Sequence, residues 1–175
     1  MDAHYDQVMA RRAEARGSGE RAYFAYSTIL DREAFEEWRH QHGYDFFELP
    51  QGQLAEGVGL ALEYDFPSKW WGGRVAGLVD RPGASVYGLL FRIPEKDWPI
   101  IQHKEGWVTH MCVERPVQVR LEGQELEATA FTTAPTRKSL DGPVSERFVA
   151  ALARGAEAAG LPRPWVSSLR RTPAG

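Results

Sequence analysis

The residue best suited to proton-transfer chemistry is Glu105, at the C-terminal end of a helix predicted over residues 94–104. At about 100° per residue, Trp98, Ile101 and Glu105 fall on one side of this helix, and that side is the apolar one. Burial against a sheet and the negative end of the helix dipole both disfavour a charged carboxylate, so both should raise the pKa of Glu105. A glutamate tuned in this way can accept and return a proton near neutral pH, which predicts a general acid/base.

Other roles for these residue types remain open in the sequence. Glu105 could instead lie at the rim of the fold or pair with an arginine, such as Arg74, Arg92 or Arg115. Cys112 is the only cysteine, so no intrachain disulfide is possible, and a packed side chain is the expected role rather than a nucleophile. His40 and His42 precede Gly43 at a helix exit without a completing Cys, Asp or Glu cluster, so a solvated helix end is expected here rather than a metal site.

A second stretch should form the wall opposite Glu105. Residues 22–26 (AYFAY) are an apolar, aromatic run that predicts a buried strand, and Asp31 is a candidate N-cap for the helix that follows. In a strand, tight turn and helix of this kind, the backbone N–H groups of the turn point to one spot. Such a spot favours an anion or a developing oxyanion. An ordinary strand-to-helix connection is equally compatible with the pattern.

The remaining elements must position these two stretches. Alternating apolar residues and turn signals predict strands over residues 57–66, 74–80, 85–93, 108–121 and 125–133, with turns at 81–84 and 122–124. Helices are predicted over residues 145–160 and 163–169. Trp70 and Trp71, beside two glycines, either line a cleft or close one end of a barrel. The hairpins favour an α+β fold, namely a small mixed β-barrel with flanking helices.

Length and composition restrict the class of protein. The 175 residues fit one domain over residues 21–170, preceded by a flexible N-terminal arm over residues 1–20 and followed by a tail over residues 171–175. The formal net charge of −3 gives no reason to expect nucleic acid or an anionic membrane as a partner. No run of about 18 apolar residues and no secretory h-region is present, so we expect a cytoplasmic protein.

Three motifs resemble the γ-glutamylcyclotransferase family, which includes the AIG2-like fold. Residues 23–30 (YFAYSTIL) are similar to the family's Y-F-A-Y-G-S-N-L signature, and residues 86–90 (VYGLL) to its V-(W/Y)-G-hydrophobic strand. Residues 103–106 (HKEG) resemble the acidic E-G element that carries the catalytic glutamate. The order and spacing of the motifs match, and the resemblance covers roughly residues 22–169.

This resemblance implies a reaction. The α-amine of a γ-glutamyl amide attacks its own γ-carbonyl and releases 5-oxoproline and an amine, which is acyl transfer with cleavage of a C–N bond. Glu105 is the implied acid/base, and no cofactor or metal is required. The implied partner is a small γ-glutamyl-type molecule, bound by a monomer or homodimer. The expected substrate-binding residues are Tyr26, Ser27, Thr28, Ile29, Leu30, Tyr87, Gly88 and Trp107.

The chain departs from the family pattern where the substrate should bind. Ser27, Thr28 and Ile29 replace the Gly-Ser-Asn of the signature, and Cys112 and Phe131 stand where family members often carry tyrosines. Polar partners of a substrate contribute strongly to specificity, so their loss predicts an altered substrate, such as a γ-glutamylamine or another amide with a more apolar portion. The alternative is a catalytically inactive descendant that binds a small ligand or a protein at the same cleft.

Overall fold

Five β-strands close into a barrel in the computed structural model, which describes residues 3–15 and 19–171. The order around the barrel is β1-β3-β2-β4-β5, with a parallel contact between β1 and β5 and antiparallel pairs elsewhere. This confirms the predicted α+β fold. The strands are β1 Glu20–Ala25, β2 Gln53–Ser68, β3 Gly73–Pro94, β4 Cys112–Leu121 and β5 Gln124–Thr133.

Strand β3 corrects one prediction. The sequence predicted two strands, 74–80 and 85–93, with a turn at 81–84, but the structure has a single long strand. Both halves pair with β2, since Leu60 lies opposite Asp80 and Val58 lies opposite Ser85. The four residues 81–84 therefore form an excursion opposite a single residue, and Gly83 has a φ of 82° there. The turn-forming residues produce a bulge without reversing the chain, because the pairing with β2 continues on both sides.

A second correction concerns the start of β4. The strand was predicted from residue 108, but it begins at Cys112, and residues 105–111 form turns instead. His110 has a φ of 59° in this segment, a left-handed conformation that an extended strand does not contain.

Five α-helices in the described part of the chain surround the barrel, and two of them begin at side-chain caps. Asp31 accepts a hydrogen bond from the N–H of Ala34 at 3.1 Å, as predicted, and Ser145 accepts one from the N–H of Phe148 at 3.1 Å. Among the described residues, no helix has the length and apolar character needed to span a membrane. The helices are α1 Tyr5–Glu14, α2 Arg32–Gln41, α3 Trp98–Lys104, α4 Glu146–Ala158 and α5 Arg163–Arg170.

The strands divide the core into two layers. Along β1 and the residue after it, Phe24 and Tyr26 belong to a cluster made of strand side chains, which fills the barrel. Tyr23 and Ala25 belong to the other cluster, which includes buried residues of all five helices. Because alternate side chains of a strand point to opposite faces, Tyr23 faces the helical layer and Trp98 of α3, with ring centroids 5.8 Å apart.

The predicted flexible arm over residues 1–20 includes a docked helix. Val8 of α1 is fully buried, and Arg12 forms an ion pair with Asp97 at 3.0 Å. Tyr5 stacks on Tyr44 with ring centroids 5.7 Å apart. Helix α1 therefore covers the elements that carry Glu105. Residues 1, 2 and 16–18 of the arm and residues 172–175 of the predicted tail lie outside the described residues.

Candidate active site

The end of helix α3 places Glu105. Gly106 follows it with a φ of 85°, and its N–H donates to the carbonyl of His103 at 3.2 Å. The N–H of Trp107 donates to the carbonyl of Gln102 at 2.9 Å. These two bonds are the Schellman arrangement, in which a glycine beyond the helix satisfies the last carbonyls. Glu105 is therefore held at the negative end of the helix dipole, as the sequence predicted.

The carboxylate of Glu105 is bound by a tyrosine. The Tyr23 hydroxyl donates to Oε1 of Glu105 at 2.7 Å, and Tyr23 is only 1% exposed. Burial raises the pKa of Glu105, while the Tyr23 hydrogen bond and the charge of Lys104 lower it to a smaller extent. The direction is the one required of a carboxyl that exchanges a proton near neutral pH.

Two of the three arginines that the sequence offered as partners for Glu105, Arg74 and Arg115, have other contacts. The guanidinium of Arg74 donates to the backbone carbonyls of Tyr64 and Gly142, and Arg115 pairs with Asp80. Within the described part of the chain, Glu105 forms no ion pair with an arginine. Its closest hydrogen-bonding partner is therefore neutral.

Two other acidic groups lie within the electrostatic range of Glu105. Burial and then the charge of Glu105 raise the pKa of Tyr26 well above its usual value, and the hydroxyl of Tyr26 donates to the carbonyl of Phe131. Burial and then Glu105 raise the pKa of the Cys112 thiol to about 12. The thiol stays protonated at neutral pH, so Cys112 has the properties of a packed side chain rather than a nucleophile.

Asp65, at 1% exposure, is a second buried carboxylate near this site. The Thr133 hydroxyl donates to its Oδ1 at 2.6 Å, and the Lys138 ammonium lies 3.7 Å from its Oδ2. Asp65 contributes to the raised pKa values of both Tyr26 and Cys112, which places it close to the same groups as Glu105. The sequence analysis missed Asp65 and Tyr23.

Signals for both missed residues were present in the sequence. Tyr23 lies in a predicted buried strand, and a buried phenol needs a hydrogen-bonding partner. Strand alternation alone would have placed it on the same face as Ala25 and opposite to Phe24. Asp65 interrupts an apolar strand, and a buried aspartate is rarely without a partner. Neither pattern names the partner, because Glu105 and Lys138 are both more than 70 residues away along the chain.

The predicted oxyanion turn is present as a short 3₁₀ helix over Thr28–Leu30. The N–H groups of Leu30 and Asp31 are used within the turn, where they donate to the carbonyls of Ser27 and Thr28 at 3.1 Å each. The N–H groups of Thr28 and Ile29 donate to no acceptor in the described part of the chain. These two are the donors that the turn leaves for a ligand.

The side chains of this turn divide between the core and a cavity. Ile29 and Leu30 are 2% and 4% exposed and pack in the helical layer, so they present their backbone rather than their side chains. Thr28 lines a cavity of about 410 Å³ together with Lys104, the residue before Glu105. Trp70 and Trp71 line the same cavity. Of the two predicted roles for these tryptophans, this favours lining a cleft over closing one end of the barrel.

The other predicted binding residues lie at varying distances from the reaction centre. A Cβ atom at Gly88 would overlap the carbonyl oxygen of Ala25, the last residue of β1, so Gly88 permits a close approach of the two backbones. The ring of Tyr87 contacts Trp165, with centroids 5.9 Å apart. The ring of Trp107 lies 4.4 Å beneath the guanidinium of Arg11. The contacts of Tyr87 and Trp107 are thus with α5 and α1.

The possible metal ligands of this chain are its His, Cys, Asp and Glu side chains. Among residues 3–15 and 19–171, no group of three or more His, Cys, Asp or Glu side chains has the geometry of a metal site. The two histidines considered as metal ligands have other contacts: His40 Nδ1 lies 2.8 Å from Oδ1 of Asp45, and His42 Nδ1 lies 2.8 Å from the carbonyl oxygen of Trp38.

Comparisons with known proteins agree with this architecture. The sequence profile of the AIG2-like family matches residues 85–169. A solved γ-glutamyl cyclotransferase superposes with a TM-score of 0.72 at 20% identity, covering 89% of each chain. An uncharacterized protein from Homo sapiens gives a TM-score of 0.74 at 21% identity, covering 90% of each chain. YkqA from Bacillus subtilis gives 0.73 at 20% identity, covering 98% of this chain and 60% of YkqA.

No curated protein matches the sequence. The structural matches, at about one identical residue in five, show the fold, and the family profile adds the segment that contains the Val86 strand and Glu105. Together they agree with the family resemblance seen in the motifs: residues 85–169 match the AIG2-like family, and the chain has the fold of the solved γ-glutamyl cyclotransferase.

Proposed function

We propose that the protein is a γ-glutamylcyclotransferase-like enzyme that acts on a small γ-glutamyl amide and releases 5-oxoproline and an amine. The observation that carries the proposal is the Glu105 carboxyl, held by Tyr23 at 2.7 Å and shifted by burial towards the neutral form. The named function of one structural neighbour, γ-glutamyl cyclotransferase, agrees with this chemistry. The proposal includes a cytoplasmic location and a monomer or homodimer.

Glu105 has the two states that this reaction needs. As a carboxylate it takes a proton from the α-ammonium of the substrate, and the freed nitrogen attacks the γ-carbonyl carbon. A C–N bond forms and the carbonyl becomes an oxyanion. The protonated Glu105 then gives its proton to the departing nitrogen, the oxyanion collapses to a carbonyl, the original C–N bond breaks, and the carboxylate is regenerated. The new ring nitrogen loses its second proton, which the released amine takes up. A pKa raised by burial reduces the cost of holding the proton between these two steps.

The turn before α2 supplies the electrostatic partner for the oxyanion. The N–H groups of Thr28 and Ile29 are fixed by the 3₁₀ turn and keep their hydrogen-bonding capacity. Donors fixed in advance stabilise a developing negative charge without the cost of reorganisation. Replacement of the family's asparagine by Ile29 leaves this backbone contribution in place, because the Ile29 side chain is buried in the core.

The test is turnover of a panel of γ-glutamyl amides, with 5-oxoproline and free amine both quantified. Glu105→Gln keeps the size of the side chain but removes the base, so we expect a loss of about 10²–10⁴-fold in kcat. Glu127→Gln, an exposed position on β5, is the matched control and should keep wild-type turnover. Equal turnover in Glu105→Gln and wild type would exclude Glu105 as the acid/base.

The second candidate is an inactive binding protein, which is favoured by the altered signature at Ser27, Thr28 and Ile29. It predicts that no amide in the panel is cleaved, yet a metabolite raises the melting temperature, because a ligand bound only to the native state stabilises it. In that case Glu105→Gln would change ligand affinity but no rate. Release of 5-oxoproline by the wild-type protein excludes this candidate.

A further inference from the structure

One cavity is lined by a residue from each of the two stretches that form the proposed reaction centre, Thr28 and Lys104. Thr28 belongs to the turn whose N–H groups face the oxyanion in the proposed function, and Lys104 directly precedes Glu105. A substrate whose γ-carbonyl lies between the turn and Glu105 would therefore extend its departing half into this space of about 410 Å³. The side chains that line the cavity then determine which amine departs.

Three tryptophans form the apolar part of the lining, from the β2–β3 hairpin and from α2: Trp38, Trp70 and Trp71. Trp70 is 77% exposed, which is the highest exposure among the large apolar side chains of the described residues. An exposed indole is available to stack on a planar ligand. Trp71 is partly buried, with its ring 5.5 Å from that of Phe148.

The backbone that carries Trp70 and Trp71 is held in place by three hydrogen bonds. The N–H of Trp71 donates to the Ser68 hydroxyl at 3.2 Å, and its carbonyl accepts from the Ser145 hydroxyl at 2.7 Å. The carbonyl of Trp70 accepts from Arg147 at 3.1 Å. The exposed ring of Trp70 thus projects from a fixed hairpin end, so a ligand stacked on it would pay little for ordering the loop.

Two basic side chains of the lining are available to pair with a carboxylate. Lys104 and Arg154 both line the cavity, and neither forms a salt bridge among the described residues. The acidic side chains of the lining are already engaged, since Asp31 caps α2 and Glu37 accepts from Gln41. Burial lowers the pKa of Lys104, so this ammonium gains from a new anionic partner.

From these contacts we propose that the cavity binds the departing half of the substrate, and that this half is an amino acid with an aromatic side chain and a free carboxylate. The side chain stacks on Trp70, and the carboxylate pairs with Lys104 and Arg154. The inference rests on the proposed function for the position of the scissile bond, but its recognition of ligand does not depend on turnover. The substrate class is therefore γ-glutamyl dipeptides of aromatic amino acids, rather than γ-glutamylamines without a carboxylate.

Binding to the Glu105→Gln variant tests this inference separately from catalysis. Calorimetric titration would compare γ-glutamyl-phenylalanine, γ-glutamyl-glycine and γ-glutamyl-phenethylamide. We expect γ-glutamyl-phenylalanine to bind about 10-fold more tightly than either of the others, since it alone has both the ring and the carboxylate. Equal affinity for all three, or binding of none, would overturn the inference.

Second substitutions in the same background assign each contact. Trp70→Ala should remove the preference for phenylalanine over glycine, whereas Leu140→Ala, which truncates another exposed apolar residue (64% exposed), should preserve it. Lys104→Met should remove the preference for phenylalanine over phenethylamide. A preference that survives both Trp70→Ala and Lys104→Met contradicts the proposed cavity. If wild type releases no 5-oxoproline but these preferences hold, the proposed function fails and the binding inference stands.

Discussion

Glu105 and Asp65 are two carboxylates that lie near the same groups, since the charge of each, together with burial, raises the pKa values of Tyr26 and Cys112. The two carboxylates differ in their own partners. Asp65 accepts from the Thr133 hydroxyl at 2.6 Å and has the Lys138 ammonium 3.7 Å away. Glu105 accepts from the neutral hydroxyl of Tyr23 and has no salt bridge among the described residues.

The difference separates a structural carboxylate from one suited to proton transfer. A cation beside a buried carboxylate offsets part of the cost of burying its charge, so the Asp65–Lys138 contact suits a role in the fold. The hydrogen-bond donor of Glu105 is neutral, and the charge of Lys104 offsets only part of the effect of burial, so protonation relieves the remaining cost of its charge. Helix α3 adds to this effect in Glu105, because the carboxylate lies at the negative end of the helix dipole.

The largest expected effect is that Glu105→Gln loses activity without losing stability. Burial raises the pKa of Glu105, so the folded state binds its proton more tightly than the unfolded state. Ionised Glu105 therefore reduces stability as the pH rises from the unfolded pKa through the raised folded pKa. We expect Glu105→Gln to lose about 10²–10⁴-fold in kcat yet to melt at the wild-type temperature or above it at pH 8. Calorimetric melting at pH 4 and pH 8 checks the sign, and a lower melting temperature than wild type at pH 8 would contradict it.

The reciprocal change, Asp65→Asn, should affect the fold. The substitution leaves the Lys138 ammonium without its carboxylate and weakens the acceptor of the Thr133 hydroxyl. We expect a loss of about 1–3 kcal/mol in the free energy of unfolding, typical of a disrupted buried polar contact. Urea denaturation measures this, with Glu105→Gln as the comparison. If Asp65→Asn is as stable as wild type, the structural role assigned to Asp65 is wrong.

Tyr23→Phe should shift the pH dependence of Glu105 without removing the group. The Tyr23 hydroxyl stabilises the carboxylate, so its loss raises the pKa of Glu105 further. The acidic limb of kcat/KM, which reports ionisation of the base, should move to higher pH, with a loss of about 10-fold or less at neutral pH. Tyr5→Phe on α1 serves as the control and should leave the profile in place. A limb that moves to lower pH in Tyr23→Phe would reverse the assigned role of the hydrogen bond.

The smallest expected effect concerns the reactivity of Cys112, because the charges of both carboxylates raise the pKa of its thiol. Its pKa of about 12 predicts slow alkylation by iodoacetamide at pH 8 in the folded protein and rapid alkylation after denaturation. After burial, Glu105 makes the largest contribution to this shift and Asp65 the next. Alkylation should therefore accelerate more in Glu105→Gln than in Asp65→Asn. Rapid labelling of folded wild type would show that Cys112 is not buried beside these charges.

Local signals in the sequence were sufficient for the elements that carry the site. The Asp31 cap and the position of Glu105 at the C-terminal end of its helix each depend on a few neighbouring residues, and the structure confirms both. Turn chemistry was misleading at residues 81–84, because pairing with β2 on both sides overrides the local preference for chain reversal.

Long-range pairing was beyond what the sequence specifies. The hydrogen bond from Tyr23 to Glu105 and the ion pair of Asp65 with Lys138 join residues that only barrel closure brings together. Helix α1 could not be placed from the sequence for the same reason. Its segment is only weakly apolar, yet it packs on the domain because the Val8 side chain is buried in the core. Periodicity predicts which face of an element is buried but not which distant group it meets.

The central claim is that Glu105, whose raised pKa results from burial with a neutral hydrogen-bond donor, is the carboxyl that exchanges protons. A carbon-detected NMR titration of the side-chain carboxyls tests it most directly. The Glu105 resonance is assigned by its absence in Glu105→Gln. We expect its midpoint to lie above the ordinary glutamate value of about 4.3 and to rise further in Tyr23→Phe. A midpoint at or below that value in wild type would contradict the account, because Glu105 would then be an ordinary ionised carboxylate.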